Sequence, residues 1–191
     1  MKALAPIAAV AVGLWVACAP SATPASRAPD TTLVGPQGEP VALRPAAEGV
    51  HWTVLVFFSP HCHCLDAHDG RIRALAEAYR PRGVAFAMVD SEVGASPARD
   101  RAEAARRGYV FPIWIDPGAR LAAALGARYA TYAVVLDTEG RILYRGGIDT
   151  DRTHLTTDAT PYLKNAIDDV LDGRPPRLAE GEALGCDLQT W

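Results

Sequence analysis

Residues 52–58 read WTVLVFF and are followed at once by SPHCHCLDAH at residues 59–68. The first segment is a continuous run of apolar, mostly β-branched and aromatic residues, which predicts a strand buried on both faces. The second segment leaves this strand through a short turn and opens a helix, which places Cys62 in the first turn of that helix. The rest of the chain is arranged around this strand–turn–helix unit.

The cysteines and histidines of this unit indicate where the chemistry takes place. Residues 61–68 contain two thiols and three imidazoles: Cys62, Cys64, His61, His63 and His68. Free backbone N–H groups and the positive end of the macrodipole stabilise a thiolate at a helix start, so we expect a lowered pKa for Cys62. Such a set of side chains serves either redox chemistry or metal binding, and both stay open at this point.

The rest of the chain alternates between strands and helices, delimited by apolar periodicity, capping residues and turn signals. We expect strands at residues 32–34, 41–43, 52–58, 83–90, 111–115, 132–136 and 142–144, and helices at 62–80, 97–107, 117–125 and 161–172. The first two strands form a hairpin, and strands that are joined through helices run parallel. The fold class is therefore α/β, with a mixed central sheet flanked by helices.

Composition limits the functions that the chain can have. Its 191 residues are 49% hydrophobic and carry a formal net charge of −3, which suits a single domain with a normal core. The chain has no basic excess, so we expect no nucleic-acid partner. It also has no carboxylate pair, Ser-His-Asp order or glycine-rich phosphate loop that would indicate a hydrolase or a nucleotide-binding protein.

Three segments resemble those of thioredoxin-fold redoxins. FFSPHC at residues 57–62 is similar to the strand and turn before the first active-site cysteine of this family. Residues 126–149 are similar to the second half of redoxin domains, in the branch of the alkyl hydroperoxide reductase/thiol-specific antioxidant proteins. LGC at residues 184–186 resembles the Gly-Cys ending of some peroxiredoxin-like redoxins. The resemblance implies a thioredoxin-like fold with an N-terminal hairpin, and a redox-active Cys62.

Three positions depart from the family pattern. The usual Cys-x-x-Cys motif would place its second cysteine at Leu65, whereas this chain has Cys64. The cis-proline that lies opposite the active cysteine in the family is replaced by Thr131. Of the proline and threonine that shortly precede a peroxidatic cysteine, only Pro60 is present. The fold and the location of the reactive thiol are therefore carried over, whereas the standard two-cysteine mechanism is not.

The N-terminus resembles that of a bacterial lipoprotein. Met1-Lys2 is followed by fifteen residues without charge, and LWVAC at residues 14–18 resembles a lipobox. The apolar run is shorter than the ~20 residues that span a bilayer. We expect either a lipoprotein signal with a lipidated Cys18 or an ordinary secretory signal. The predicted location is the periplasmic side of the bacterial cell envelope, with a lipid anchor in the membrane.

The expected organisation is a signal peptide at residues 1–18, a flexible tether at 19–30, a thioredoxin-like redoxin domain at 31–177 and a C-terminal tail at 178–191. The tail carries Cys186 together with Leu184, Leu188 and Trp191, which are apolar enough to dock it on the domain. Docking either brings Cys186 to the helix start at Cys62 or leaves it elsewhere as a small buried residue.

The resemblance to redoxins implies a thiol-based oxidoreductase that acts through Cys62. Its thiolate attacks a protein disulfide or a peroxide, and Cys64 or Cys186 then resolves the product. Because the chain without Cys18 has an odd number of cysteines, at least one thiol is free, transient or metal-bound. The expected partners are a reductant thiol protein and a disulfide protein or peroxide, and no cofactor is required.

The alternative function is a copper- or zinc-binding module similar to copper chaperones of the Sco type, which share this fold. Its ligands would be Cys62, Cys64, His68 and the distant His154, since Cys64 and His68 share a helical face. Soft thiolates with imidazoles suit Cu(I) or Zn(II). A binding module that has lost catalysis is the third alternative.

Overall fold

The computed structural model describes residues 26–43 and 48–190. The predicted signal peptide with Cys18, and most of the predicted tether, lie outside these residues. The described end of the tether is attached to the domain, because the N–H of Ala28 donates to the Gly140 carbonyl at 2.9 Å. This attachment corrects the prediction of a flexible segment there. Among the described residues, no helix combines the length and the apolar character that crossing a bilayer requires.

In the described part of the chain, seven strands form one mixed sheet: β1 Thr32–Val34, β2 Pro40–Ala42, β3 Trp52–Phe58, β4 Val84–Asp90, β5 Ile113–Ile115, β6 Ala133–Asp137 and β7 Ile142–Gly146. Their order across the sheet is β2-β1-β5-β4-β3-β6-β7. The β3–β4 and β4–β5 pairs are parallel, and the other pairs are antiparallel. The predicted mixed sheet and N-terminal hairpin are thereby confirmed.

The described helices are α1 His63–Tyr79, α2 Pro97–Arg107, α3 Arg120–Leu125 and α4 Tyr162–Leu171, with short 3-10 turns at Arg80–Arg82 and Pro117–Ala119. α1 packs against β4, α2 against β5, and α4 against β6 and β7. Ser96 caps the predicted helix α2, because its hydroxyl accepts the N–H of Arg99 at 3.3 Å.

Only β1, β3 and α2 keep both predicted bounds, and the other elements differ from the prediction by one to three residues at an end. α1 begins at His63, because Cys62 is its N-cap and lies just before the first turn. β5 begins at Ile113, two residues later than predicted, since Pro112 has no N–H to give to a ladder. α4 begins at Tyr162. None of these shifts moves a strand or a helix to another place in the fold.

The carboxyl ends of the three parallel strands meet at one edge of the sheet. The register pairs Phe58 with Asp90, and Asp90 with Ile115. Six of the seven side chains of β3 are buried, so the core fixes where this strand ends. The turn that leads to Cys62 starts from this edge, where ligands and substrates of such sheets commonly bind.

The tail (residues 178–190) runs along the domain without helix or strand of its own. Its backbone hydrogen-bonds to β7, to the loop before β6 and to the loop after β4, through these pairs: Ala179 and Gly181 with Arg145, Cys186 with Ala130, Leu188 with Arg128, and Gln189 with Val93. The side chain of Leu188 is buried. The predicted docking of the tail on the domain is confirmed for the described residues, and Trp191 lies outside them.

Candidate active site: a cluster of three thiols

The start of α1 holds the first two thiols in place. Cys62 is the N-cap, and its Sγ accepts the N–H of Leu65 at 3.4 Å. The carbonyl of Cys62 accepts the N–H of Asp66 at 2.9 Å, which is the first bond of the helix. Cys62 has no exposed surface, and Cys64 is buried as well. The sequence prediction therefore places this cysteine correctly within one residue.

Arg107, at the end of α2, fixes the turn that precedes Cys62. Its guanidinium donates to the Pro60 carbonyl at 3.2 Å and lies 5.2 Å from the centre of the Phe58 ring. It also forms ion pairs with Asp66 at 2.6 Å and Asp69 at 3.1 Å. Only 1% of its side chain is exposed, so the guanidinium is shielded from water, although the Asp66 carboxylate is half-exposed. Arg107 thus contacts the end of β3, the turn itself and the first part of α1.

Thr131, at the position where the resemblance to redoxins implies a cis-proline, lies opposite the end of β3. Its N–H donates to the Phe57 carbonyl at 3.0 Å, and its hydroxyl donates to the Leu184 carbonyl at 3.1 Å. Its φ is 87°, which costs a β-branched residue about 1–2 kcal/mol. Thr131 therefore connects the strand before Cys62 to the tail.

The tail brings the third thiol to the helix start. The Cys186 carbonyl accepts the N–H of Ala130 at 2.9 Å. A Cβ at Gly185 would lie 1.8 Å from the Ala130 carbonyl oxygen, so only glycine permits this approach. The Sγ atoms of Cys62, Cys64 and Cys186, hereafter the thiol cluster, all lie within 4.8 Å of one another. The alternative in which the tail docks away from Cys62 is wrong.

The pKa values of the buried thiols contradict the sequence prediction. Burial raises the pKa of Cys62 to about 12, and its hydrogen bond with Cys186 acts in the same direction, against the lowering effect of the Leu65 N–H. Burial and Cys186 likewise raise the pKa of Cys64, although the Arg152 guanidinium lowers it. The prediction of a lowered pKa at Cys62 is wrong for this docked form, because desolvation outweighs the helix start.

His68 has a different role from the predicted metal ligand. Its ring is buried, with Nδ1 at 2.7 Å from the Cys64 carbonyl oxygen and Nε2 at 3.0 Å from Asp149 Oδ1. Asp149 is held in turn by Arg71 at 2.6 Å. Since both ring nitrogens already have partners, His68 supports the backbone of Cys64 from within the domain.

The predicted metal set of Cys62, Cys64, His68 and His154 is not assembled. His154 is exposed, and neither histidine belongs to the described group of neighbouring ligand atoms. Cys186 occupies the third place instead. The reason is topological: the tail crosses the helix start, whereas the loop with His154 folds around Arg71, whose guanidinium donates to the Thr156 carbonyl.

An open groove of about 460 Å³ reaches Gly185, the residue before Cys186, but none of the three cysteines lines it. Its lining residues are Gly126, Arg128, Tyr129, Tyr132, Arg152, Glu182, Ala183, Leu184 and Gly185. A larger cavity of about 770 Å³, between β7 and the end of α4, contains no thiol. Sequence reasoning missed Arg152 and Asp149, since nothing local marks a loop residue that approaches Cys64. The sequence did offer a signal for the role of Gly185, because a glycine directly before Cys186 indicates a close approach of two backbone segments at this point.

Comparison with known proteins agrees with this geometry. Residues 24–145 match the AhpC/TSA family. No curated protein matches the chain's sequence.

Solved structures also match. An uncharacterized conserved protein from Geobacillus kaustophilus is 27% identical with a TM-score of 0.76, covering 88% of this chain and 92% of that one. A hypothetical protein from Sinorhizobium meliloti is 26% identical with a TM-score of 0.76, covering 88% and 95%. The thioredoxin domain of a thiol-disulfide oxidoreductase from Bacteroides vulgatus is 13% identical with a TM-score of 0.54, covering 65% and 89%. The thioredoxin-like fold is confirmed.

Proposed function

Because this chain belongs to the AhpC/TSA family, we propose that it is a thiol–disulfide oxidoreductase in which Cys62 is the attacking cysteine. The observation that carries this proposal is the position of the Cys62 sulfur, at the N-cap of α1 and within 4.8 Å of two further thiols. Backbone N–H groups at a helix start stabilise a thiolate once water reaches the thiol.

A protein disulfide is the substrate class that the residues favour over a peroxide. Pro60 precedes Cys62, but the threonine of a peroxidatic pattern does not accompany it. The name of the Bacteroides vulgatus neighbour, a thiol-disulfide oxidoreductase, points in the same direction. The groove lined by Arg152 and Gly185 offers an open surface on which a peptide segment can lie beside the part of the tail that carries Cys186.

The reaction transfers two electrons in two exchange steps. The Cys62 thiolate attacks one sulfur of the substrate disulfide, so that a new S–S bond forms and the other substrate sulfur leaves as a thiolate. A second thiol of the cluster, deprotonated, then attacks the Cys62 sulfur and releases the second substrate thiolate. The protein is left with an internal disulfide, and a reductant thiol protein reverses this oxidation by the same exchange.

We assign the resolving step to Cys186. Its sulfur lies within 4.8 Å of the sulfurs of both Cys62 and Cys64, so it needs little movement to reach Cys62. A Cys62–Cys64 disulfide would instead close a ring across one intervening residue at the start of α1. Residues two apart on a helix do not share a face, so such a bond distorts the first turn.

The docked tail also controls access to Cys62. With the tail in place Cys62 is fully buried, so a protein substrate has no path to its sulfur. Its pKa of about 12 leaves almost no thiolate at neutral pH. We infer that the tail lifts for the first exchange and returns for the second, when it delivers Cys186 to the Cys62 sulfur.

We place this reaction outside the cytoplasm, on the periplasmic side of the bacterial envelope. The support is the signal-like segment at residues 1–17 and the lipobox-like Cys18. Disulfide exchange is useful in such a compartment, because disulfides persist there. A lipid on Cys18 would hold the domain at the membrane surface.

Reduction of insulin disulfides tests the proposal, with Cys18→Ser in every protein so that only the thiol cluster reacts. We expect Cys62→Ser to lower the rate at least about a hundredfold, because it removes the nucleophile. The matched Cys64→Ser variant keeps the rate within about threefold, since exchange does not use this thiol. Cys186→Ser accumulates the mixed disulfide with the substrate. Full activity of Cys62→Ser, or peroxide consumption without insulin reduction, would contradict the proposal.

A further inference from the structure

The thiol cluster holds one sulfur more than disulfide exchange uses. A disulfide engages two cysteines at a time, yet three free thiols lie within 4.8 Å of one another. Cys62 and Cys64 are buried and Cys186 is half-buried, so the cluster is largely closed to water. Disulfide exchange therefore does not account for the position of the third thiol.

The chemistry of the donors points to a soft metal ion. In the part of the chain that the structure describes, no histidine nitrogen or carboxylate oxygen joins this group of three sulfurs. Sulfur-only sites select soft ions such as Cu(I), whereas a structural Zn(II) site takes four ligands. Three thiolates therefore suit Cu(I) better than Zn(II).

The spacing of the sulfurs is compatible with one ion between them. Metal–thiolate bonds of about 2.3 Å in a flat triangle set the sulfur atoms about 4 Å apart. The observed limit of 4.8 Å is slightly larger than this value. The difference of less than about 1 Å is within what a small rotation of the cysteine side chains supplies.

We propose that the reduced protein binds one Cu(I) ion through Cys62, Cys64 and Cys186. Each thiol releases its proton to solvent as its sulfur binds, and the copper stays Cu(I) throughout. The three thiolates and the ion together carry two negative charges. The N-terminus of α1 and the Arg152 guanidinium, which acts on Cys64, both favour negative charge at this place.

Copper binding goes beyond disulfide exchange and competes with it. A bound ion occupies Cys62 and so blocks attack on a substrate, whereas an internal disulfide removes two ligands and so releases the ion. Cys62 and Cys64 alone would form a pair of thiols at the start of α1. The tail adds the third ligand, Cys186. The tail thus completes the metal site as well as the proposed resolving step.

An anaerobic titration with Cu(I) held by bicinchoninate tests the proposal on the reduced full chain carrying Cys18→Ser. We expect one equivalent of Cu(I) per chain, and X-ray absorption to show three sulfur neighbours at about 2.3 Å. Cys62→Ser and Cys186→Ser each weaken binding at least about tenfold, because each removes a soft ligand. The matched control His154→Ala leaves the affinity unchanged, since this exposed side chain lies outside the cluster.

Several results would overturn the copper site. These are fewer than three sulfur neighbours, a histidine nitrogen among the ligands, an unchanged affinity in Cys186→Ser, or tighter binding of Zn(II) than of Cu(I). The X-ray absorption measurement needs no cluster variant, so it decides even where Cys186→Ser disturbs the tail. Insulin reduction by the metal-free protein is measured separately, so a failed copper titration leaves the exchange reaction intact.

Discussion

The two regions that meet in the thiol cluster are built in different ways. The start of α1 continues from β3, whose side chains fill the core, and Arg107 and His68 hold it from two sides. The tail contributes a single buried side chain, that of Leu188, and otherwise attaches through backbone hydrogen bonds and a few side-chain contacts, such as the Thr131 hydroxyl with the Leu184 carbonyl and the Arg145–Glu180 ion pair. The first region belongs to the core of the domain, whereas the second lies on its surface.

This difference implies that the two regions respond differently to the same disturbance. Moving the helix start means repacking β3, and closely packed cores resist such changes. Moving the tail breaks a few hydrogen bonds and exposes Leu188, so local opening is far less costly than unfolding. The tail is therefore the part that moves during the proposed cycle, and Cys62 is the part that stays.

Removing the tail gives the largest expected effect. We compare two proteins that keep Cys62 as their single cluster thiol: a chain that ends at Leu178 and carries Cys64→Ser, and a full-length chain with Cys64→Ser and Cys186→Ser. The truncated chain reacts with iodoacetamide at neutral pH at least about a hundredfold faster, because water then reaches the thiol and the burial that raises the pKa of Cys62 is removed. Equal alkylation rates would show that the tail does not cover Cys62.

Gly185→Ala displaces the tail at one point only, so its effect is smaller. The added Cβ would lie 1.8 Å from the Ala130 carbonyl oxygen, and the chain around Cys186 has to move away. We expect the alkylation of Cys62 to accelerate about tenfold, since other tail contacts remain. Gly70→Ala is the matched control: its Cβ meets open space within α1 and leaves the rate unchanged. A Gly185→Ala protein with the wild-type rate would contradict the close approach.

The His68–Asp149 pair supports the start of α1, and its contribution can be measured through the pH dependence of the protein's stability. Burial lowers the pKa of His68, but its bonds to Asp149 and the Cys64 carbonyl outweigh burial and raise it above 6.5. The stability that this pair adds is fully present below pH 6.5 and is lost as pH rises through the folded-state pKa. We expect the free energy of unfolding, measured in urea, to fall over that range.

We expect Asp149→Asn to flatten this pH dependence and to lower the free energy of unfolding by about 1 kcal/mol near pH 6. The substitution removes the negative charge that strengthens the hydrogen bond with His68. Cys62 alkylation stays at its wild-type rate, since the tail is untouched. His154→Ala, a change at an exposed histidine, keeps the wild-type slope. If Asp149→Asn retained the full slope, the dependence would have another source.

The fold was predictable because local signals agree with it. The apolar run of β3, the Ser96-Pro97 start of α2 and the turn between β6 and β7 each specify an element within a few residues. Most boundaries shifted by one to three residues, and at β5 the cause is Pro112, which has no N–H for the ladder. The docking of the tail was also predictable, since Leu188 has to leave water.

The electrostatics of the site were not predictable, because they depend on partners far along the chain. The position of Cys62 at a helix start predicts a lowered pKa, but the tail buries this thiol and reverses the direction. The spacing of Cys64 and His68 correctly indicates a shared helical face. It does not show that the His68 ring turns to Asp149, 81 residues later.

The disulfide that forms on mild oxidation tests the central claim, that the tail delivers Cys186 to Cys62, most directly. The full chain carrying Cys18→Ser is oxidised with limiting diamide, alkylated, digested without reductant and analysed by mass spectrometry. We predict a peptide pair linked through Cys62 and Cys186 as the main product, with Cys64 alkylated. A Cys62–Cys64 disulfide, with Cys186 alkylated only after denaturation, would contradict this account.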